Sequence, residues 1–197
     1  MSKVFGAGSK FSFPKNPRLL IVEDEADIRF ILGEQLLELQ ATHAELEISF
    51  AENGREALKL VEGQWFDAVV SDLNMPAMSG LEFLFELRQR ELQTPVIFLT
   101  GFGDKAKAIE ALRLGAFDFL DKPWNHQHLL SVTSEALFMG LKLRDLHAEL
   151  AIFRENLQGQ PEAQAQQQFD RRRALALTKL TRLFLAEANA RHRAKAS

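Results

Sequence analysis

The sequence predicts an α/β protein built on a doubly wound, five-stranded parallel sheet. Two observations carry that expectation. Five short strand-like runs alternate with stretches of helical period, and the inner ones, Leu19 to Val22, Ala68 to Val70 and Val96 to Leu99, lack the apolar–polar alternation of a sheet with one wet face. Strands that are apolar throughout are strands covered by helices on both sides.

The first run, Leu19-Leu20-Ile21-Val22, stops at Glu23-Asp24-Glu25, and Ile28, Ile31, Leu32, Leu36 and Leu39 then recur at helical spacing. Leu46 to Ala51 is the second strand. Asn53 with Glu56 has the spacing of a capping box and opens a helix carrying Ala57, Leu58 and Val61. The third strand, Phe66 to Ser71, ends at Asp72, and Ser79 with Glu82 repeats the capping spacing before Leu81, Leu84, Phe85 and Leu87. Pro95 to Leu99 is the fourth strand, ending at Thr100. Ala106 to Leu114 is helical and stops at Gly115, and Phe117 to Leu120 is a short fifth strand ending near Lys122-Pro123. Asn125 caps the helix that follows.

From Leu129 the pattern changes. Leu129, Val132, Ala136, Met139, Leu143, Leu146, Leu150, Phe153 and Leu157 recur at alternating steps of three and four, a heptad seam longer than one small sheet can cover. The seam predicts a coiled-coil extension, over 139–158, of the last helix of a domain at 18–138. Residues 159–169 are rich in Gln and Ala with Gly159 and Pro161, and read as a linker or a weak polar helix. Residues 170–197 read as a basic amphipathic tail and 1–17 as a loose leader rather than a signal peptide.

Composition bounds the chemistry. The 197 residues are 46% hydrophobic and 26% charged, as in ordinary globular chains. With no cysteine there are no disulfides, thiolates or iron–sulfur clusters, which fits a cytoplasmic location. No apolar run is long enough to span a membrane. The net charge of -3 is a cancellation: the tail from Asp170 carries +6 and the remainder −9.

Glu23, Asp24, Asp72, Thr100 and Lys122 all fall at or just beyond strand ends. In a parallel sheet those ends share one edge, where ligands of such folds bind. Carboxylates gathered there repel one another unless a cation sits between them, and oxygen donors without His or Cys suit Mg²⁺. An ammonium and a hydroxyl opposite the metal suit the spread charge of a phosphoryl group. The set describes phosphoryl transfer to or from a carboxylate.

Four segments in this order resemble the receiver domain of two-component response regulators (CheY-like). They are Leu-Ile-Val-Glu-Asp-Glu at 20–25, Asp-Leu-Asn-Met-Pro-Ala-Met-Ser-Gly at 72–80, Phe-Leu-Thr-Gly at 98–101 and Asp-Phe-Leu-Asp-Lys-Pro at 118–123. The resemblance covers about residues 18–138. It implies a flavodoxin-like sheet of order 2-1-3-4-5 and a phosphoacceptor at Asp72. It also implies Mg²⁺ held by Asp24, Asp72 and the backbone carbonyl of Asn74, with Glu23 completing the pocket through a bound water. Lys122 and Thr100 would contact the phosphoryl oxygens, as would the backbone N–H of Gly101. Phe119 would be an aromatic switch that turns inward as Thr100 moves. Receivers often carry Asp at the position of Glu23, Tyr at that of Phe119 and Ala at that of Gly101. The implied donor is a histidine kinase or phosphotransfer protein, and the implied catalysis is self-phosphorylation and self-dephosphorylation, with no external substrate.

The extra chain sets the expected output. One expectation is a phosphorylation-controlled change in dimerisation or in docking of a downstream protein, with a homodimer formed through the 129–157 seam. The alternative is a transcriptional regulator whose basic tail contacts DNA. One candidate helix is short of the three packed helices of a helix-turn-helix unit, so nucleic acid is the less favoured partner.

Overall fold

The computed structural model describes residues 14–101 and 105–195, and their side chains except those of 105 and 183–195. Most of the expected leader therefore lies outside the described residues, as do the side chains of the end of the basic tail. The strands are β1 (Arg18–Val22), β2 (Glu47–Ala51), β3 (Ala68–Asp72), β4 (Val96–Thr100) and β5 (Asp118–Asp121). The helices are α1 (Ala26–Leu37), α2 (Gly54–Gly63), α3 (Gly80–Gln89), α4 (Lys105–Arg113), α5 (His126–Glu155) and α6 (Glu162–Lys195), with a short 3₁₀ turn at Glu38–Ala41. All neighbouring strands pair in parallel in the order β2-β1-β3-β4-β5, the doubly wound arrangement the sequence predicts. The chain divides into two compact units, Met1–Leu141 and Lys142–Ser197.

In the first unit the alternation of side chains along each strand fills two cores. Leu20, Val22, Val69, Val96 and Phe98 pack with Ala57 and Val61 of α2 and Phe83, Leu84 and Leu87 of α3. On the opposite face Leu19, Ile21, Val70, Ile97, Leu99 and Leu120 pack with Leu32 and Leu36 of α1 and Leu129, Val132, Ala136 and Leu137 of α5. Each fully buried Leu or Ile contributes about 1.5–3 kcal/mol over its exposed state. Both capping signals are used. Asn53 Oδ1 accepts from the Glu56 N–H (3.0 Å), and Ser79 with Glu82 forms the reciprocal pair.

Two ties hold this unit together that the apolar pattern does not reveal. Buried Asp67 accepts from the Arg18 N–H (2.9 Å) and from Trp65 Nε1 (3.1 Å), fixing the start of β3 beside β1. Arg88 of α3 donates to the carbonyls of Leu92, Thr94, Leu114 and Gly115, stapling the entries to β4 and β5. Burial lowers its guanidinium pKa to about 10.

The heptad seam is covered in part within the chain. Leu129, Val132, Ala136 and Met139 are buried in the first unit, and Leu143, Leu150 and Leu157 are also buried, while Leu146 and Phe153 are half-buried. The homodimer through 129–157 stands as an expectation of the sequence. Of the two readings of 159–169, linker or polar helix, the helix holds from Glu162 onward. The break between α5 and α6 is confined to 156–161, where Gly159 takes a φ of +90° and the carbonyl of Pro161 accepts from the N–H groups of Gln164 and Ala165. The Gln/Ala-rich stretch beyond it is helix, because Ala, Gln and Glu are good helix formers and nothing after Pro161 interrupts them. In the second unit α5 and α6 form a hairpin, with Arg154 over the Phe169 ring (4.7 Å) and Arg172 over the Phe153 ring (5.7 Å).

Gly140 fixes how closely α5 approaches β3. A Cβ there would lie 1.6 Å from the carbonyl oxygen of Asp67 and cannot be relieved by a side-chain rotation. Gly140→Ala is expected to destabilise the first unit by about 1–3 kcal/mol, the usual cost of overpacking. Thermal unfolding measures it, and an unchanged midpoint would contradict the close approach.

Candidate functional site

The site stands on the carboxyl edge of the sheet. Glu23 directly follows β1, Asp72 ends β3, Thr100 ends β4 and Lys122 directly follows β5. Glu23 is fully buried, Asp72 and Thr100 nearly so, and Asp24 is exposed. Lys122 Nζ lies 2.8 Å from Asp72 Oδ1 and 2.9 Å from Glu23 Oε2, so one ammonium bridges two carboxylates. Carboxylate oxygens of Glu23, Asp24 and Asp72 lie within 4.8 Å of one another, close enough to ligate one ion. Three carboxylates face one ammonium, and a divalent cation fits the excess charge. The cluster contains only oxygen donors, which suits a hard cation.

The backbone holds these groups in place. The N–H of Asn74 donates to Asp72 Oδ2 (3.0 Å), orienting the carboxylate. The Asn74 side chain accepts a short hydrogen bond from Lys107 Nζ of α4. Gly80 lets the loop after β3 fold back: a Cβ there would lie 2.3 Å from the Asp72 carbonyl oxygen. Arg29 of α1 donates to the carbonyls of Glu23 (2.6 Å) and Asp24 (3.3 Å) while pairing with Glu52 (3.1 Å), and so pins the acidic turn. The Lys122-Pro123 bond is cis.

The Thr100 hydroxyl faces β5, lying 3.1 Å from Asp121 Oδ1 and 3.4 Å from the Leu120 carbonyl oxygen, and Phe119 is 37% exposed. Gly101 is half-buried beside Thr100. Sequence reasoning misses Arg29, Asp121 and Lys107. Only Asp121 leaves a usable signal, since it stands at the end of β5 beside Lys122.

The profile of the response regulator receiver domain family matches residues 19–134. The chain belongs to that family. It is 38% identical over 143 residues to the response regulator protein PilR of Pseudomonas aeruginosa, an alignment covering 73% of this chain and 30% of PilR. It is 39% identical to the regulatory protein AtoC of Escherichia coli, over 68% of this chain and 29% of AtoC. The DNA-binding transcriptional regulator NtrC of Escherichia coli is 33% identical over 59% of this chain and 24% of its own length. The receiver thus spans less than a third of these relatives. Among solved structures, the chemotaxis response regulator CheY4 of Vibrio cholerae gives a TM-score of 0.54 at 32% identity, over 62% of this chain and 99% of CheY4. The signal receiver domain of an HD domain-containing protein from Pseudomonas fluorescens gives 0.60 at 28% identity, over 68% and 96%. Among the described residues of this receiver no helix is long and apolar enough to cross a membrane.

Burial, and secondarily the Asp72 charge, hold the Glu23 carboxyl above its ordinary range against the opposing pull of Lys122. Burial alone would lower the Lys122 ammonium, but its bonds to Asp72 and Glu23 outweigh that and raise it. A carboxyl with a raised folded-state pKa binds more protons folded than unfolded, so stability falls as pH rises from the ordinary carboxylate range through the raised value. Lys122 acts in a separate, alkaline window, where its stabilisation is lost as pH rises through its raised pKa. With divalent cations chelated, Glu23 is expected to contribute a decline of the unfolding midpoint as pH rises across the acidic window. Glu23→Gln should remove that contribution, making the slope against pH more positive than in the parent, and equal slopes in the two proteins would refute the assignment.

Proposed function

We propose that this receiver is a phosphorylation switch in which Asp72 accepts a phosphoryl group from a phosphohistidine on a kinase or phosphotransfer protein. The observation that carries the reading is the Lys122 ammonium held between Glu23 and Asp72, with Asp24 completing a cation-sized acidic cluster. Asp24, Asp72 and the Asn74 carbonyl would hold Mg²⁺, with Glu23 acting through a water. Bound there, Mg²⁺ would neutralise charge on the phosphoryl oxygens.

The protein's own groups do the rest. An Asp72 carboxylate oxygen attacks phosphorus in line, the phosphorus–nitrogen bond of the donor breaks, and the imidazole departs. Lys122, released from part of its pairing with Asp72, takes a phosphoryl oxygen. The Gly101 N–H meets another. Thr100 exchanges Asp121 for a phosphoryl oxygen, and the space it vacates admits Phe119, now partly exposed. Phosphorylation thereby biases a two-state element whose outward and inward arrangements present different surfaces to a partner. The receiver fold accords with action in the cytoplasm.

A second reading is transcriptional regulation through the basic end of the chain. It is favoured by the exposure of Arg171, Arg172 and Arg173 on α6 and by the likeness to NtrC, a DNA-binding transcriptional regulator. Its signature is duplex-DNA binding that weakens steeply with salt.

The test of the main reading is direct. Incubated with Mg²⁺ and a small acyl-phosphate donor, the protein should gain the mass of one phosphoryl group. Asp72→Asn should abolish the gain, whereas undiminished labelling of that variant would remove Asp72 from its role.

A further inference from the structure

Asn74, two residues beyond Asp72, is held from two directions. Its backbone N–H donates to Asp72 Oδ2 (3.0 Å), which fixes the main chain against the acceptor carboxylate. Its side-chain Oδ1 accepts from Lys107 Nζ, on α4 and 33 residues farther along the chain. An ammonium carries three donors and no acceptor, so of the two ends of an amide it can meet only the oxygen. Lys107 therefore selects one orientation of the Asn74 amide, the one with its acceptor turned to α4.

The loop after β3 is secured by other bonds. The Met78 carbonyl accepts from the Gly54 N–H (3.1 Å), the Ala77 carbonyl accepts from Arg55 Nε (3.4 Å), and Ser79 with Glu82 ties the end of the loop to α3. α4 is seated through Ala108 and Ala111, both buried, whereas Lys107 is exposed. The consequence of the Lys107 contact is thus local: it decides which atom of the Asn74 amide is available beside Asp72. Covalent geometry puts the Asn74 Cβ two bonds from the nitrogen that donates to Asp72, so the amide stands at the rim of the pocket where a phosphoryl group on Asp72 would lie.

We propose that Lys107 is a positioning residue that prolongs the phosphorylated state by withholding the Asn74 amide oxygen from the water that hydrolyses it. The inference rests on Asp72 being the phosphoacceptor. In that hydrolysis a water oxygen attacks phosphorus, the bond from phosphorus to the Asp72 oxygen breaks, and Asp72 leaves as a carboxylate. Inorganic phosphate departs and a proton of the water passes to solvent. The water attacks with a lone pair, so it is oriented by an acceptor that takes one of its hydrogens. The Asn74 oxygen is such an acceptor, and Lys107 engages it. Lys107 acts through Asn74 and not on the reacting atoms.

The lifetime of the phosphorylated chain provides the test. The full chain is phosphorylated with Mg²⁺ and a small acyl-phosphate donor, the donor is removed, and decay of the added mass is timed. Lys107→Met, which keeps the reach of the side chain without its charge, is expected to shorten the half-life by about fivefold, the rate equivalent of one ordinary hydrogen bond. Lys107→Arg, a donor of similar reach, should retain the parent half-life. In an Asn74→Ala chain, Lys107→Met should produce no further change. An unchanged half-life in Lys107→Met would overturn the proposal. Equal shortening by Lys107→Met with and without the Asn74 amide would also overturn it, because the ammonium would then act on the phosphoryl group itself. A parent chain that gains no phosphoryl mass removes the phosphoacceptor reading, and this inference with it.

Discussion

The Lys122 ammonium between Glu23 and Asp72 is the contact on which the rest of the receiver depends. It joins the ends of β1, β3 and β5, and Glu23 and Lys122 are separated by 99 residues of chain. Like charges at about 4 Å repel by about 4 kcal/mol at the effective dielectric of a protein surface, so two carboxylates brought together here need a counter-charge. Lys122 supplies one positive charge against three carboxylates. The deficit is charge that a cation would balance, and the apolar sheet beneath it is what prevents the carboxylates from moving apart.

The surrounding structure holds that charged cluster at fixed dimensions. Arg29 grips the backbone of the acidic turn, the Asn74 N–H orients Asp72, and Gly80 lets the following loop close over the end of β3. Farther away, Asp67 and Gly140 set the entry of β3 against β1 and α5. Thr100 and Phe119 stand outside that bonded cluster. The Thr100 hydroxyl faces Asp121 and the Leu120 carbonyl rather than Asp72, and Phe119 lies partly in solvent, so both differ from the groups that Lys122 binds.

Much of this is legible in the sequence, and for identifiable reasons. Strands buried on both faces read as unbroken apolar runs, and the chemistry at the edge of a parallel sheet is confined to strand ends. Glu23, Asp24, Asp72, Thr100 and Lys122 therefore stand out from their positions in the chain. The ties made by long side chains to distant carbonyls, those of Arg29 and Arg88, have no periodic signature and leave no trace in the pattern. The heptad seam is an apolar stripe, as its spacing indicates, but periodicity identifies a buried face and not what buries it. Here it is in part the chain itself, with Leu146 and Phe153 half-buried. The polarity of the Gln-rich stretch points toward a linker, although its helix-forming residues outweigh two breakers at its start.

The central claim is that the strand-end carboxylates form one cation site whose occupancy is felt by Lys122. Titration of the protein with Mg²⁺, followed by backbone amide NMR, tests it most directly. The account predicts saturable binding of one ion per chain, with shifts concentrated at 23–25, 72–75 and 121–123. It also predicts loss of those shifts in Asp24→Asn. Absence of saturable binding, or shifts of equal size in Asp24→Asn, would contradict it.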